Sequence, residues 1–236
     1  MTGVVTLRQW VKARQHPLAA FAYRLAIAVR GFSVPVTPGL HHLLYAGQVS
    51  VSAIIGAFTR VFWWTPLFQT RLVKPAPGLF LYGGMPLILG APRISIGASC
   101  RISGQTTISG RTVGPATPTL SIGDNCDIGW QTTIAVGRTI SIGDNVRIAG
   151  RAFLAGYPGH PTAATARAEG RPDTEDQVGD IVLEQDVWLA TGVTVLAGVR
   201  VGRGTIVAAG SVVTRDLPPL VLAGGAPARV IRSLEA

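Results

Sequence analysis

One histidine stands in a segment whose residues could support general-base chemistry. Gly159-His160-Pro161 lies within LAGYPGHPTAATARAEGRP, residues 154–172, which is irregular, whereas the chain on both sides repeats every six residues. Imidazole has a pKa of about 6.5, so it can accept a proton from a hydroxyl near neutral pH. A histidine in a loop is more often an ordinary surface residue, and the break in the repeat makes His160 the candidate to be weighed against that.

The remaining candidates for metal, redox or phosphate chemistry are weaker. His16, His41 and His42 all precede the repeats. With a single histidine near the repeats, a three-histidine zinc site is not predicted, and we expect no metal. The chain has no GxxxxGK[ST] pattern. Cys100 and Cys126 fall where Thr, Val or Ser fall in other repeats, so we predict that they are small buried residues.

The repeat itself predicts the architecture. Aliphatic residues recur every six positions, and about fifteen such units are present. A period of six fits a short strand and a tight corner, so that three units close one coil of a parallel β-helix with one aliphatic side chain per unit pointing inwards. This predicts about five coils. The recurring residues are Ile96, Ile102, Ile108, Ile122, Ile128, Ile134, Ile142, Ile148, Leu154, Leu183, Leu189, Val195, Val201, Val207 and Val213.

The charge is distributed unevenly along the 236 residues. The formal net charge is +9, and the first acidic residue is Asp124. Eleven Lys or Arg residues precede Asp124, whereas ten Arg and all twelve Asp or Glu lie from Asp124 onward. This asymmetry favours an anionic partner for the first half. Because only two of the basic residues are Lys and no aromatic-basic RNA motif is present, we expect no nucleic-acid partner.

The last repeats carry a family resemblance. The segment Asp186 to Arg232, DVWLATGVTVLAGVRVGRGTIVAAGSVVTRDLPPLVLAGGAPARVIR, resembles the hexapeptide-repeat acyltransferases, in the galactoside, maltose and xenobiotic acetyltransferase branch. The resemblance extends over 93–232. It implies a mainly β fold, a left-handed parallel β-helix of hexapeptide repeats with an N-terminal α-helical region, assembled as a homotrimer. It also implies acetyl-CoA as the donor substrate and a loop histidine, here His160, as the general base.

The same resemblance assigns a donor site to the C-terminal coils. It places two residues beside the pantetheine arm of acetyl-CoA, two near the nucleotide end, and two basic residues near the adenosine phosphates. Guanidinium groups bind phosphate through paired hydrogen bonds, which fits the last pair. In that order the residues are Thr191 and Ala209, Thr214 and Arg215, and Arg229 and Arg232.

Three assignments stay open. Where the family often has an acceptor-binding asparagine, this chain has Arg151, which either binds an anionic group of the acceptor or faces solvent as an ordinary coil residue. Trp188 either lines the cofactor groove near the coil end or is purely structural. No residue that orients His160 can be chosen securely, with Asp180 and Glu184 as candidates.

The chain is predicted to have three parts. Residues 1–92 form a basic, apolar helical region, residues 93–218 the β-helix with an extruded loop at 155–180, and residues 219–236 a tail that completes the CoA site. We predict helix over 4–30, interrupted at Pro17. The apolar run Leu43–Phe58 would span about 24 Å as a helix, short of a bilayer core of about 30 Å, so we expect helices that lie at a membrane surface or cap the coil.

The sequence therefore predicts an O-acetyltransferase that transfers an acetyl group from acetyl-CoA to a hydroxyl of a sugar. The acceptor is expected to be a polysaccharide or lipid-linked sugar precursor, and the protein to be cytoplasmic and peripheral to the inner face of an anionic membrane. Two alternatives remain: an N-acyltransferase of an amino sugar or nucleotide sugar, and a non-catalytic β-helical scaffold.

Overall fold

The computed structural model describes residues 2–234, with side chains from residue 7 onward. The chain divides into two compact units, Met1–Ser52 and Ala53–Ala236. The helices are α1 (Thr2–Ala13), α2 (Pro17–Gly31), α3 (Pro38–Thr59), a π-helical segment (Arg60–Trp64), α4 (Thr65–Gln69), α5 (Ala164–Ala168) and a 3₁₀ turn (Glu175–Gln177).

The first unit is helical, as predicted. Helix α1 ends at Ala13 and α2 begins at Pro17, which confirms the interruption there. His16 caps α2, because its Nδ1 accepts a hydrogen bond of 3.2 Å from the N–H of Leu18. His41 is similarly engaged, with the N–H of Thr37 donating to its Nδ1 at 2.9 Å. These two histidines have structural roles in their own helices.

The second unit is a parallel β-helix built from nineteen strands within the described residues. The strands are β1 (Phe80–Tyr82), β2 (Leu87–Leu89), β3 (Arg93–Ile96), β4 (Arg101–Ser103), β5 (Thr107–Gly110), β6 (Thr119–Ile122), β7 (Asp127–Ile128), β8 (Thr133–Val136), β9 (Thr139–Ile142), β10 (Arg147–Ile148), β11 (Phe153–Ala155), β12 (Ile181–Leu183), β13 (Trp188–Leu189), β14 (Thr194–Leu196), β15 (Arg200–Val201), β16 (Ile206–Val207), β17 (Val212–Val213), β18 (Val221–Gly225) and β19 (Ala228–Ser233).

Three parallel sheets form the sides of the coil. Sheet A contains β3, β6, β9, β12 and β15; sheet B contains β1, β4, β7, β10, β13, β16, β18 and β19; sheet C contains β2, β5, β8, β11, β14 and β17. Only β19 runs antiparallel, in a hairpin with β18 that ends sheet B. Successive strands of the chain pass from A to B to C, so the turns form three edges, named here A–B, B–C and C–A.

The core consists of the side chains that the repeat predicted to be internal. All fifteen aliphatic residues named above are buried. In-register pairing stacks each on its copies, as Ile108 on Ile134 and Ile134 on Leu154. Cys100 and Cys126 are buried in the same core, with 0% and 2% of their surface exposed, as predicted. Because no single coil could shield its aliphatic residues from water, the stacking of coils supplies the hydrophobic stabilisation.

Polar ladders hold the A–B edge. The motif SIGDN recurs in consecutive coils, and Asp144 Oδ1 accepts the N–H of Asp124 at 2.7 Å. Asn125 and Asn145 have positive φ angles of 52° and 58°, a conformation that asparagine tolerates better than most residues. The amide of Asn125 donates to Asn145 Oδ1 at 2.9 Å, and that of Asn145 donates to Asp186 at 3.0 Å.

The coil begins earlier than the boundary predicted at residue 93. Strands β1 and β2 form most of a further coil, with Leu81 paired to Ile102 and Ile88 paired to Ile108. These two aliphatic residues are seven positions apart because the turn contains the pair Gly83-Gly84. A six-residue period therefore does not detect this coil. Each coil contributes one strand to sheet B, which has seven parallel strands, whereas the repeat predicted about five coils.

A short helical segment covers the core next to this first coil. Phe68 of α4 is 1% exposed and belongs to the same buried cluster as Leu79 and Leu81, while Trp64 and Leu72 pack against the cluster. The expectation that helical residues cap the coil is thus met by residues 64–72. Terminal coils need such a cover because their aliphatic residues would otherwise face water.

The stacked core gives a direct stability prediction. Replacing Ile134, which is fully buried, by Ala should lower the free energy of unfolding by about 2–5 kcal/mol, since the cavity cannot collapse between two flanking coils. Its neighbour Thr133 faces outward on the same strand, so Thr133→Ala should change it by no more than about 0.5 kcal/mol. Denaturant unfolding measures both, and similar losses in the two variants would contradict the assigned strand register.

The hydrogen bonds of Glu184 on the A–B edge should make the stability of the protein depend on pH. The N–H of Arg203 and the guanidinium of Arg200 both donate to Glu184 at 2.9 Å and lower the pKa of this carboxyl. A lowered folded-state pKa contributes stability above the unfolded value of about 4.3, and this contribution is lost as the pH falls through the folded pKa. Glu184→Gln should therefore destabilise the protein at pH 7, by less than about 1 kcal/mol because the pair is partly exposed.

Thermal unfolding at pH 7, 5, 4 and 3 tests this sign. The difference in melting temperature between wild type and Glu184→Gln should shrink below pH 4, whereas Glu169→Gln, at a more exposed ion pair, should show little difference throughout. A difference that grows towards low pH would contradict the assignment.

Candidate functional site

The residues predicted to bind the donor lie on two different edges of the coil. Thr191 and Ala209 occupy equivalent turn positions on the B–C edge, and the N–H of Gly210 donates to the carbonyl of Thr191 at 2.9 Å. Both residues are exposed. Thr214 and Arg215 follow β17 and are exposed on the C–A edge. Sheet C separates the two pairs, so a single chain does not bring them together.

Arg151 continues the B–C edge towards the N-terminal coils. Its N–H donates to the carbonyl of Trp130 at 2.8 Å, its guanidinium lies 4.8 Å from the centre of the Trp130 ring, and its Nε donates to Gln131 Oε1 at 3.2 Å. A cation held over an aromatic face keeps its remaining donors for a ligand. The structure places Arg151 one coil from Thr191, since Gly192 donates to the carbonyl of Gly150 at 3.0 Å, and Trp130 one coil further away.

The C-terminal hairpin extends the same edge in the other direction. Arg229 pairs with Gly224 and Arg232 pairs with Leu222 across β18 and β19. Both arginines are exposed, and their side chains donate to the carbonyls of Ala228 at 2.8 Å and Ser233 at 3.3 Å. Gly224 lies beside Ala208, the neighbour of Ala209. Arg229 is therefore the cation nearest in register to the Ala209 position.

Trp188 does not lie on either edge. It is the first residue of β13, pairs with Arg147 and Ile206 on the outer face of sheet B, and is 48% exposed. Its side chain therefore does not belong to the core, and its part in a cofactor groove remains a hypothesis.

The loop with His160 leaves the coil at the C–A edge. It spans residues 156–180 between β11 and β12 and contains α5 and the 3₁₀ turn. His160 is exposed, and none of the hydrogen bonds described for residues 2–234 involves its imidazole, while its carbonyl accepts from Gln177 Nε2 at 3.4 Å. An exposed imidazole without a described hydrogen bond can accept a proton from a ligand that approaches this edge.

The loop folds back over the coils that precede it. The hydroxyl of Tyr157 contacts Ser109 Oγ at 3.2 Å, and Arg138 donates to the carbonyl of Val178 at 3.0 Å. These contacts lead towards β5 and away from Thr214 and Arg215. A groove of about 610 Å³ lies beside the last residues of the loop and is lined by Arg138, Asp180 and Asp216 among others.

A buried ion-pair cluster that sequence reasoning missed anchors this loop. Arg111 Nε donates to Asp173 Oδ1 at 2.5 Å, Arg111 Nη2 donates to the carbonyl of Asp173 at 3.1 Å, and Arg111 Nη1 also pairs with Glu175. Burial disfavours the charged guanidinium, but the hydrogen bonds that it donates to Glu175 and Asp173 outweigh this effect, so that the pKa of Arg111 is raised. The partners are more than sixty residues apart in sequence, with no motif to link them.

Neither candidate for orienting His160 contacts it. Asp180 accepts the N–H of Thr139 at 3.0 Å, and Glu184 is engaged by Arg200 and Arg203 on the A–B edge. Both carboxylates stabilise turns of the coil. Within the described residues, no group of three His, Cys, Asp or Glu side chains is arranged to hold a metal ion.

Comparison with known proteins supports the prediction that the repeats are hexapeptide repeats of the kind found in acyltransferases. The family model "Bacterial transferase hexapeptide (six repeats)" matches residues 180–215. Galactoside O-acetyltransferase of Escherichia coli is 40% identical over 96 residues, which cover 41% of this chain and 45% of that protein. A 2,3,4,5-tetrahydropyridine-2,6-dicarboxylate N-acetyltransferase of Staphylococcus aureus is 37% identical over 90 residues, 38% of this chain and 31% of that protein. The matches thus span less than half the length of these relatives.

Solved structures show the same fold. A variant of AntD, an N-acyltransferase from Bacillus cereus, in complex with dTDP-4-amino-4,6-dideoxyglucose and Coenzyme A, superimposes with a TM-score of 0.59 and 20% sequence identity over 72% of this chain and 89% of that chain. AntD in complex with dTDP and 3-hydroxybutyryl-CoA gives a TM-score of 0.56 and 18% identity over 72% and 87%. The left-handed parallel β-helix predicted from the resemblance is confirmed. By its repeats, its related sequences and its fold, the chain is similar to the hexapeptide-repeat acyltransferases.

Proposed function

We propose that this protein is an acetyltransferase that uses acetyl-CoA, with His160 as the general base and a sugar hydroxyl as the acceptor. The observation that carries the proposal is the exposed His160 on a loop held by internal hydrogen bonds. This loop is the longest break in the coil within residues 2–234, and the related sequences include a galactoside O-acetyltransferase. A coil that served only as a scaffold would have no need of a break of this length.

The chemistry requires a base and a polarised thioester. A sugar hydroxyl is a weak nucleophile at neutral pH, so the imidazole of His160 accepts its proton as the oxygen attacks the acetyl carbonyl. The oxygen–carbon bond forms, the carbon–sulfur bond breaks, and the CoA thiolate leaves and takes up a proton. Backbone N–H groups at the turns are the donors that would stabilise the oxyanion.

The B–C edge fits a long, anionic donor. In its last two turns the exposed residues are small, namely Thr191, Ala209 and Gly210, so a pantetheine arm can approach the backbone closely there. Arg229 stands at the end of this edge, with Arg232 nearby on the last strand of sheet B, and the two supply positive charge for the phosphates. Thr214 and Arg215 are assigned to the nucleotide end on the C–A edge.

The separation of these residues supports assembly as a homotrimer. His160, Thr214 and Arg215 lie on one edge of sheet C, and Thr191 and Ala209 lie on the other. If the C–A edge of one copy faces the B–C edge of another, the base and the donor site meet between two copies. We infer that the active site is intermolecular.

Two observations bear on the linkage that is formed and on the acceptor. A named relative transfers to oxygen and another to nitrogen, so an amino sugar is the second candidate. Arg151, held over Trp130 on the B–C edge, is placed to meet an anionic group of the acceptor. This favours a sugar linked to phosphate, as in the lipid-linked precursors of polysaccharide biosynthesis.

The donor assignment and the base can be tested separately. Calorimetric titration with acetyl-CoA should give micromolar binding that weakens with salt, and Arg229→Ala/Arg232→Ala should lower the affinity about tenfold or more, since hydrogen bonds to charged groups are lost. His160→Ala should bind acetyl-CoA like the wild type but lose at least about 100-fold in transfer, the usual contribution of a general base.

Transfer is measured as release of the CoA thiol with methyl β-galactoside, maltose and glucosamine as acceptors. Mass spectrometry of the product distinguishes an ester from an amide. Folded protein that does not bind acetyl-CoA, or a His160→Ala variant that transfers as fast as the wild type, would contradict the proposal.

We also propose that the helical region holds the enzyme at the inner face of an anionic membrane, in the cytoplasm. The helix over Pro38–Gln69 is long and apolar enough to cross a membrane, by length and composition only, and 6% of its apolar window is buried. It is longer than the run Leu43–Phe58 suggested, because α3 continues through the π-helical segment into α4. Helices whose large apolar side chains are exposed all round are stable in lipid or against a partner.

The distribution of charge agrees with a lipid surface. Helices α1 and α2 contain Arg and Lys but no acidic residue, and large apolar side chains such as Phe21, Leu25 and Ile54 are more than half exposed. Basic residues near an anionic surface contribute up to about 1 kcal/mol each. An acceptor attached to a membrane lipid would then be concentrated where the enzyme is.

Flotation with vesicles tests this part. The full chain should float with phosphatidylglycerol-containing vesicles, and Ile55→Asp, a charge placed on the exposed apolar helix, should reduce the bound fraction several-fold. Val113→Asp, at a comparably exposed position in a coil turn, is the matched control and should float like the wild type. Release by high salt indicates surface binding, release only by detergent indicates insertion, and equal loss in both variants would argue against a membrane role of α3.

A further inference from the structure

Two opposite charges are buried together at the C–A edge, where the repeat itself needs none. Arg111 and Asp173 are 8% and 5% exposed, and they are the only Arg, Lys, Asp or Glu residues within 7–234 that are buried. The pair joins the coil to the extruded loop, since Arg111 directly follows β5 and Asp173 lies in the loop. Removing two charges from water costs several kcal/mol each, so such a pair is poor evidence for a purely stabilising role.

The hydrogen bonds of Asp173 lead directly to the residue before His160. Its Oδ1 accepts from Arg111 Nε, and its Oδ2 accepts the N–H of Gly159 at 3.0 Å. Gly159 has a φ of +80°, a conformation that L side chains rarely adopt, and it forms the turn that presents His160. The carboxylate thus holds the peptide on the N-terminal side of His160.

The other side of His160 is held by the same cluster. Arg111 Nη1 pairs with Glu175, which begins the 3₁₀ turn that ends at Gln177. The side chains of Thr174 and Gln177 cap this turn, and Gln177 Nε2 donates to the carbonyl of His160 at 3.4 Å. One guanidinium therefore organises both segments that contact the backbone of His160.

We propose that Arg111 and Asp173 are positioning residues, which fix the backbone on both sides of His160 and thereby aim its imidazole at the acceptor. They touch neither substrate in this assignment, and they act through Gly159 and Gln177. The inference rests on the proposed role of His160. It assigns to the chain's own coil the orienting function that neither Asp180 nor Glu184 performs.

The expected kinetic signature differs from that of a general loss of structure. A base displaced by about 1 Å can cost about 100-fold in rate while binding is unaffected. For Asp173→Asn and for Arg111→Lys, which cannot reproduce the planar fork of donors, we expect kcat to fall by about 10- to 100-fold. The KM for acetyl-CoA and its calorimetric affinity should stay within about twofold, because Thr191, Ala209 and Arg229 lie on another edge. The hydrogen bonds of Arg111 and Asp173 also do not reach Thr214 or Arg215.

A structural readout accompanies the kinetics. Hydrogen–deuterium exchange of the peptide 157–163 should quicken at least tenfold in Asp173→Asn, since the amide of Gly159 loses its carboxylate acceptor, while the core strands exchange as before. The matched control is Glu169→Gln, which breaks the exposed ion pair with Arg171 in the same loop. It should leave kcat, KM and exchange unchanged.

A double variant guards against simple unfolding. Arg111→Met with Asp173→Leu removes both charges at similar volume, a replacement that folded proteins often tolerate. It should fold, keep its affinity for acetyl-CoA, and still lose about 10-fold or more in kcat, because Gly159 has no acceptor. If loop exchange quickens in these variants while kcat stays within twofold of the wild type, the positioning role is wrong and the cluster only anchors the loop.

Failure of the proposed function gives a different pattern. In that case the folded wild type and Glu169→Gln do not bind acetyl-CoA, or His160→Ala transfers as fast as the wild type. Either result would overturn the positioning role together with the role of His160.

Discussion

The structure depends on one constraint: each side of the coil delivers one aliphatic side chain to the interior, in register with the copies above and below it. Ile108, Ile134 and Leu154 show this stacking in sheet C. Every coil leaves its neighbours with an apolar surface that water must not reach, so the stack is stable only if it is continuous and covered at its ends. Phe68 supplies that cover beside the first coil. Strand length, turn type and the exclusion of charge from the interior all follow from this requirement.

The same constraint determines where chemistry can be placed. Inward positions are committed to the core and the strands are only two to four residues long over most of the coil, so variable residues accumulate at the edges. Small turn residues on the B–C edge leave the backbone accessible, and an extra segment can leave the coil only at a turn, as the loop of residues 156–180 does at the C–A edge. The proposed base and the residues proposed for the pantetheine arm consequently fall on different edges, and our proposal of an intermolecular site rests on that separation.

A loop that leaves such a coil loses the packing that orders the rest of the chain. Ordering a residue costs about 1–2 kcal/mol in backbone entropy, and the exposed segment around α5 buries little apolar surface in return. The Arg111–Asp173 pair, Tyr157 and Arg138 supply specific contacts in its place. Their directionality is useful here, because a hydrogen bond to Gly159 defines the local backbone more sharply than hydrophobic contact would.

The sequence by itself determined the repeat, the identity of the core residues and the class of fold. The reason is that one side chain in six must be aliphatic, a pattern that is visible in any short stretch of the coil sequence. It also singled out His160, since the loop interrupts that pattern. It did not reveal the first coil, whose aliphatic residues Leu81 and Ile88 are seven apart, nor the full length of the helix over Pro38–Gln69. Only the tertiary structure decided that Arg111 meets Asp173 and that Asp180 and Glu184 bind other partners, Thr139 in one case and Arg200 and Arg203 in the other. These pairings depend on how far the loop folds back over earlier coils. They join residues that are distant in the sequence, and no local sequence pattern predicts them.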